Sequence, residues 1–184
     1  MRLTIGCAVG LASWALSAQA QDISQHMDQI NAGSYVILSA GTRDFVQVFR
    51  GPSGPYWVVD VIEGRDPDGP RSSREYRDVL GQLVRVENPA GVTYSFTPTN
   101  CQHTLGTCPF TQISPVGQTP MVRQTSATAD GYSYQTFLFN GDGSPELAET
   151  ASISVDSMGS PLAGKITSQD GSVMQITQLQ AVYR

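Results

Sequence analysis

Tyr56-Trp57-Val58-Val59-Asp60-Val61-Ile62-Glu63 is the strongest strand in the chain, and the architecture turns on it. Side chains of an extended chain alternate between two faces. Trp57, Val59 and Val61 therefore share one face, and Tyr56, Val58 and Ile62 the other. A short run that is apolar on both faces is expected to be covered on both. Pro55 stands only at its entrance, where a missing N–H does no harm. Asp60 shares a face with Tyr56, Val58 and Ile62, so it is expected to be partly buried and to have a basic partner, Arg50 or Arg85. The turn cluster Gly51-Pro52-Ser53-Gly54-Pro55 implies that Asp44–Arg50 pairs with this strand. A non-sequential strand is expected on its other side.

Outward from there, short β-rich runs alternate with turn clusters. Ser34–Ser39 precedes Ala40-Gly41-Thr42. Gly64–Arg74 is expected to be a polar loop, with Pro67, Gly69 and Pro70 in it. Tyr76–Glu87 and Val92–Thr97 flank the turn Asn88-Pro89-Ala90-Gly91. Asn100–Pro120 looks irregular, and its composition suggests a join between two sheets. Met121–Ser126, Tyr132–Phe139, Glu146–Val155, Leu162–Ser168 and Ser172–Leu179 follow, with Ala181-Val182-Tyr183 as a candidate extension. That makes roughly ten strands with short connections, too short for parallel crossovers. The expected fold is all-β: an antiparallel, hairpin-rich meander, closed as a sandwich or a barrel-like sheet.

The segment from Asp78 to Tyr94, Asp78-Val79-Leu80-Gly81-Gln82-Leu83-Val84-Arg85-Val86-Glu87-Asn88-Pro89-Ala90-Gly91-Val92-Thr93-Tyr94, resembles one unit of the tyrosine–aspartate repeats of Rhs-type proteins. The resemblance implies a hairpin, with Gly81 and Gly91 at tight backbone positions and Pro89 in the turn. It carries no implication for function.

The N-terminus has the pattern of a secretory signal. Arg2 precedes an apolar stretch from Leu3 to Leu16, and Ser17-Ala18-Gln19-Ala20 places small residues at the positions that signal peptidase reads. Cleavage is expected between Ala20 and Gln21. This gives a signal peptide over residues 1–20 and a single all-β domain over 21–184. The apolar run is shorter than the roughly 20 residues of a membrane helix, and no later segment is apolar enough, so no membrane span is expected after cleavage. The expected location is periplasmic or extracellular. Gln21–Ala32 is the one helical candidate beyond the signal: Ile23, Met27 and Ile30 recur at near-helical spacing, Ser24 can cap and Gly33 can stop it. The alternatives are a short helix or a disordered leader.

The whole chain has 11 basic and 16 acidic side chains, a net charge of −5. Removal of Arg2 with the signal takes this to −6. An acidic chain is not expected to bind nucleic acid. Cys7 leaves with the signal, and its place before the apolar run argues against lipidation. Cys101 and Cys108 remain, an even pair in an oxidising compartment, and are expected to form a disulfide. Closing a loop of that size is worth about 2.5 kcal/mol on the chain-entropy model. Together with His103 they make only three crowded ligand candidates, too few for a zinc site.

Catalytic chemistry finds little support. There is no Gly-x-Ser-x-Gly elbow. His26 lies in the leader and His103 in the stapled loop. Asp60 is the carboxylate with the best claim to glycosidic chemistry, against a structural ion pair. Asp66-Pro67-Asp68-Gly69 and Asn140-Gly141-Asp142-Gly143 space oxygen ligands by two, yet lack the distal glutamate of a calcium loop and read as turns. Arg71, Arg74 and Arg77 form a cluster able to hold an anion or to lie in a solvated loop. Tyr56, Trp57, Tyr94, Phe96, Tyr132, Tyr134, Phe137 and Phe139 are candidates for the core, with a sugar- or lipid-contacting face as the alternative. No cofactor is expected, and the ligand or partner is open. The leading expectation is an exported binding or structural module. The alternatives are a cell-envelope hydrolase using carboxylates and a periplasmic carrier of an apolar ligand. The presence and lining of a pocket would discriminate between them.

Overall fold

The computed structural model describes residues 23–184. The proposed signal peptide and the Ala20–Gln21 junction lie outside them. The described chain is one closed antiparallel barrel of twelve strands, each paired with its sequence neighbours and β1 paired with β12. The strands are β1 (Tyr35–Ala40), β2 (Arg43–Ser53), β3 (Tyr56–Glu63), β4 (Arg71–Arg77), β5 (Leu83–Glu87), β6 (Thr93–Thr97), β7 (Gly106–Ser114), β8 (Gly117–Ala127), β9 (Gly131–Phe139), β10 (Pro145–Val155), β11 (Pro161–Ser168) and β12 (Val173–Val182). No helix among the described residues is long and apolar enough to cross a membrane.

A recurring turn explains the meander. Asp78, Asn88 and Asp156 each donate their N–H to the carbonyl of the fourth residue on, in Gln82, Val92 and Ser160. Each side-chain oxygen accepts from the N–H groups two and four residues on. The fourth residue of each turn, Gly81, Gly91 or Gly159, has positive φ, which favours glycine. Asn140–Ser144 and Ser168–Ser172 share the backbone pattern. The hairpin expected from Asp78 to Tyr94 is present as β5 and β6, joined at Asn88–Val92.

β3 is covered on both faces, as its sequence implies. Val59 packs with Val36, Leu38 and Phe49 of the wall and with Met27 and Ile30 of the N-terminal segment, with Trp57 against them. On the opposite face Ile62 packs with Ile37, Val46 and Val48. The loop between β3 and β4 folds over that outer face. A Cβ added at Gly69 would come within 3.0 Å of Ile62 Cγ2.

Several local expectations are corrected. β3 has β2 and the sequential β4 as neighbours, not a non-sequential strand. The polar loop ends at Pro70, because Arg71–Arg77 is strand β4. The run Tyr76–Glu87 is two strands, broken by the turn at Asp78–Gln82. Asn100–Pro120 is not a join between sheets. It holds β7 and the start of β8. Its prolines fit because Pro109 pairs with β8 outside the β6 register, and Pro120 pairs with β7 beyond the β9 register, so neither removes a ladder bond on its other side.

Of the two alternatives for Gln21–Ala32, a short helix is present in the described part only as a single 3₁₀ turn. One 3₁₀ turn, Met27–Gln29, interrupts an irregular segment. Its backbone bonds go to the barrel: Gln25 N–H to the Leu80 carbonyl and Met27 N–H to the Val79 carbonyl. Ile23, Met27 and Ile30 are all buried. Ile23 joins Tyr132, Tyr134, Ala151 and Ile153. Their spacing reflects three anchor points in the barrel end, not a helical face.

Candidate functional site

The Cys101–Cys108 disulfide is present, with Cα atoms 6.0 Å apart. It ties the segment between β6 and β7 to the wall, and that segment folds inward. Gln102 donates to the Tyr132 hydroxyl at 2.9 Å, and His103 Nδ1 lies 2.7 Å from the Ile23 carbonyl. The stapled loop and the N-terminal segment therefore seal one end of the barrel together. His103 is a structural part of that seal.

Beneath the seal lies a cavity of about 190 Å³, lined by Gln25, Gln47, Glu75, Arg77, Gln102 and His103 among others. Arg77 pairs with Glu75 and donates to Gln25, and Gln25 donates to Ser160 Oγ at 2.8 Å. Leu38, Leu83, Pro161 and Ile176 also line it, so the compartment mixes polar and apolar surface.

Asp60 is 5 % exposed and lies on the outer wall. Arg50 Nε donates to it at 2.9 Å, and Arg74 donates through Nε at 2.7 Å and Nη2 at 3.1 Å. Arg71 Nη1 stands 3.8 Å away. Burial works against the charged carboxylate, but the hydrogen bonds from Arg74 and Arg50 outweigh it and hold its pKa below the ordinary value. The expected partner Arg50 is there. Arg85 is not, because it pairs with Glu87 and covers the Tyr76 ring. The cluster Arg71, Arg74, Arg77 is also split. Strand alternation sends Arg77 into the barrel and Arg74 outward, and a register shift that skips Ser72 brings Arg71 back to the outer face with Asp60.

The two calcium-like stretches use their oxygens in turns. Asp66 accepts from the Asp68 N–H, and Asp142 accepts from the Ser144 N–H and hydroxyl. Outside β8–β10, a trough of about 310 Å³ is lined by Gln124, Ser126, Ser133, Gln135 and Thr150.

A further concavity combines apolar and charged groups, beside a shallower one of about 400 Å³ lined by Tyr56, Val84, Arg85 and Phe96 among others. A pocket of about 270 Å³ is lined by Phe96, Asn100, Phe110, Gln112, Met121, Arg123, Ala148 and Glu149. Asn100, next to the disulfide of the inward loop, is part of its lining. Arg123 is 7 % exposed. Its Nη2 donates to Glu149 Oε1 at 2.9 Å, its Nε to Thr136 at 2.9 Å, and its Nη1 to the Asn100 carbonyl at 3.0 Å. It also stacks over Tyr134, 4.2 Å from the ring centroid. Burial and the neighbouring Glu149 charge push the Tyr134 phenol above its ordinary pKa, so it stays neutral. Phe96 and Phe110 meet at 6.3 Å between centroids. Half-exposed Gln112, Met121 and Glu149 leave the pocket accessible.

Of these residues, only Phe96 and Tyr134 figured among the sequence candidates, and there as core. Arg123 alternates with Met121 and Thr125 along β8, but the opposite set, Val122, Gln124 and Ser126, is no more polar, so the local pattern gives no direction. Its partner Glu149 is two strands away across β9, and no local pattern connects them. Comparison with family models, curated proteins and solved structures finds no match to the chain.

Proposed function

We propose that this protein is an exported binding module that holds a small, uncharged ligand with an apolar ring or short chain in the pocket beside Arg123. The observation that supports it most is the makeup of that pocket. Phe96, Phe110 and Met121 offer apolar contact, while the Arg123–Glu149 pair is locked by Thr136 and Asn100. Ligand sites characteristically combine apolar walls with a few fixed polar groups. The pair is neutral overall and presents both donor and acceptor, so an amide- or hydroxyl-bearing molecule suits it better than an ion. At about 270 Å³ the pocket lies just below the usual range for drug-sized ligands, roughly 300–1,000 Å³. A single ring with a short substituent is the matching size.

The outer wall supports work in water. Gln124, Ser126, Ser133, Gln135, Thr150, Ser152 and Lys165 alternate with inward residues along β8–β11. A membrane-spanning barrel carries an apolar band at such positions. The export half of the proposal rests on residues 1–20. N-terminal sequencing of protein from the native host tests it, with Gln21 expected first and an uncleaved chain against it.

The binding half is tested by ligand-observed NMR with a library of single-ring amides and phenols, on wild type and on Met121→Trp. The indole fills the pocket at a half-exposed position. The expected result is a set of binders lost in Met121→Trp while the melting curve is retained. Binders indifferent to Met121→Trp, or no binders at millimolar concentration, overturn it.

A further inference from the structure

We infer that the outer wall at Arg50, Arg71 and Arg74 is a second binding site, for a phosphate or sulfate group. Three guanidinium groups, one from β2 and two from β4, converge on one buried carboxylate of β3. The cluster keeps two positive charges in excess, within a chain whose net charge is −5. Asp60 has both oxygens occupied by Arg50 and Arg74, so it holds these side chains in place. Planar guanidinium groups fixed in this way present donors in the geometry that tetrahedral oxyanions take. The arginine side chains are themselves 33–44 % exposed, so the donors not spent on Asp60 meet solvent.

The neighbourhood forms a recess. Of the three arginines, Arg50 also lines an adjoining hollow of about 170 Å³, with Tyr35, Pro67, Asp68 and Arg184. The hollow meets the triad at Arg50 and has room for a small part of whatever bears the oxyanion. Asp68 and Arg184 both line that hollow. Of the other nearby acids, Asp44 pairs with Arg65, Glu63 with Arg43 and Glu87 with Arg85, while Asp66 accepts from the Asp68 N–H within its own turn. The excess charge is therefore local to the Arg50, Arg71 and Arg74 triad. This site is on the opposite face of the wall from the proposed ligand pocket and does not depend on it.

Arg71 is the residue for the test. At 3.8 Å it is the most weakly held to Asp60, so its loss leaves the Arg50 and Arg74 bonds intact. Titration of wild type with sodium sulfate, sodium phosphate and a monosaccharide sulfate, at constant ionic strength set with chloride, gives affinities by amide chemical shifts. The expected result is saturable binding centred on β2–β4, weakened at least tenfold in Arg71→Gln and unchanged in Arg43→Gln and Met121→Trp. A gain for the sugar sulfate over the free ion places the oxyanion on a carrier, and equal affinities make the free ion the ligand. Equal affinity in wild type and Arg71→Gln, shifts reproduced by chloride, or no saturation at millimolar anion overturns the site. Thermal melts of each variant without added anion confirm that the fold is retained before binding is compared.

Discussion

Replacing Gly159 by alanine isolates the seat of the N-terminal segment, because the chain supplies its own control. Gly159 and Gly171 occupy equivalent places in two turns of the same backbone pattern, at φ 76° and 79°. An alanine in either pays the left-handed penalty of about 1–2 kcal/mol. Nothing lies within 4 Å of a Cβ built on Gly171. A Cβ on Gly159 would meet the Ser24 carbonyl oxygen at 2.5 Å and Gln25 Cα at 2.7 Å. Those are backbone atoms, so the N-terminal segment itself must move. Movement breaks the buried bond from Gln25 to Ser160, worth about 1–3 kcal/mol when a partner is left unsatisfied, and disturbs the burial of Ile23 and Met27. Gly171→Ala should therefore lose about 1–2 kcal/mol, and Gly159→Ala about 3–5 kcal/mol. At about 2–4 °C per kcal/mol for a domain of this size, the two melts should separate clearly. Differential scanning calorimetry of both variants reads this directly. Coincident melts would mean that Ser24 and Gln25 do not sit on the β10–β11 turn, and the sealed end of the barrel would be wrong.

Val59 is fully buried, so Val59→Asp strands a charge in the core and should cost about 3–5 kcal/mol. A melt within a degree or two of the surface control Ser172→Asp would contradict the two-sided covering of β3. Asp60 has a depressed folded pKa, so its stabilising contribution is present above the unfolded value of about 4 and is lost as pH falls through the folded value. Asp60→Asn should be less stable than wild type at neutral pH, with the difference shrinking in denaturant melts taken below about pH 4. A difference independent of pH would rule out the ion pairs as its origin. Reduction of the native protein should add two hydrogens by intact mass. Cys101→Ser with Cys108→Ser should lose about 2.5 kcal/mol in a urea melt, and two alkylatable thiols before reduction would refute the bond.

The strands were legible where period-two patterning and turn residues coincide. β3, the Asn88 hairpin and the run of strands from Tyr132 onward follow from local chemistry that acts over a few residues. Barrel closure was not legible, because β1 pairs with β12 across most of the chain, as in Tyr35 with Val182. Pro109 and Pro120 made β7 and β8 look irregular, since a sequence does not reveal which edge of a strand lacks a partner. Arg71 begins β4 although a polar, proline-rich loop immediately precedes it. The ion pair of Asp60 was foreseeable from burial alone, and Arg50 from the turn that pairs β2 with β3. Arg74 was hidden by the expectation of a loop. The pocket depends on β6, β7, β8 and β10 together, so Arg123 and Glu149 meet only once the meander is closed.

Amide hydrogen exchange of Ile23–Ile30 tests the central claim most directly, that the barrel is a cup with one end sealed by the segment just after the proposed signal. The Gln25 and Met27 amides donate to Leu80 and Val79 within the sealed end, and exchange of such amides requires opening. Mass spectrometry of peptides covering this segment should show protection comparable to that of β1 and β12. Full exchange within seconds at neutral pH, with β1 and β12 still protected, would show a tube open at both ends and contradict the account.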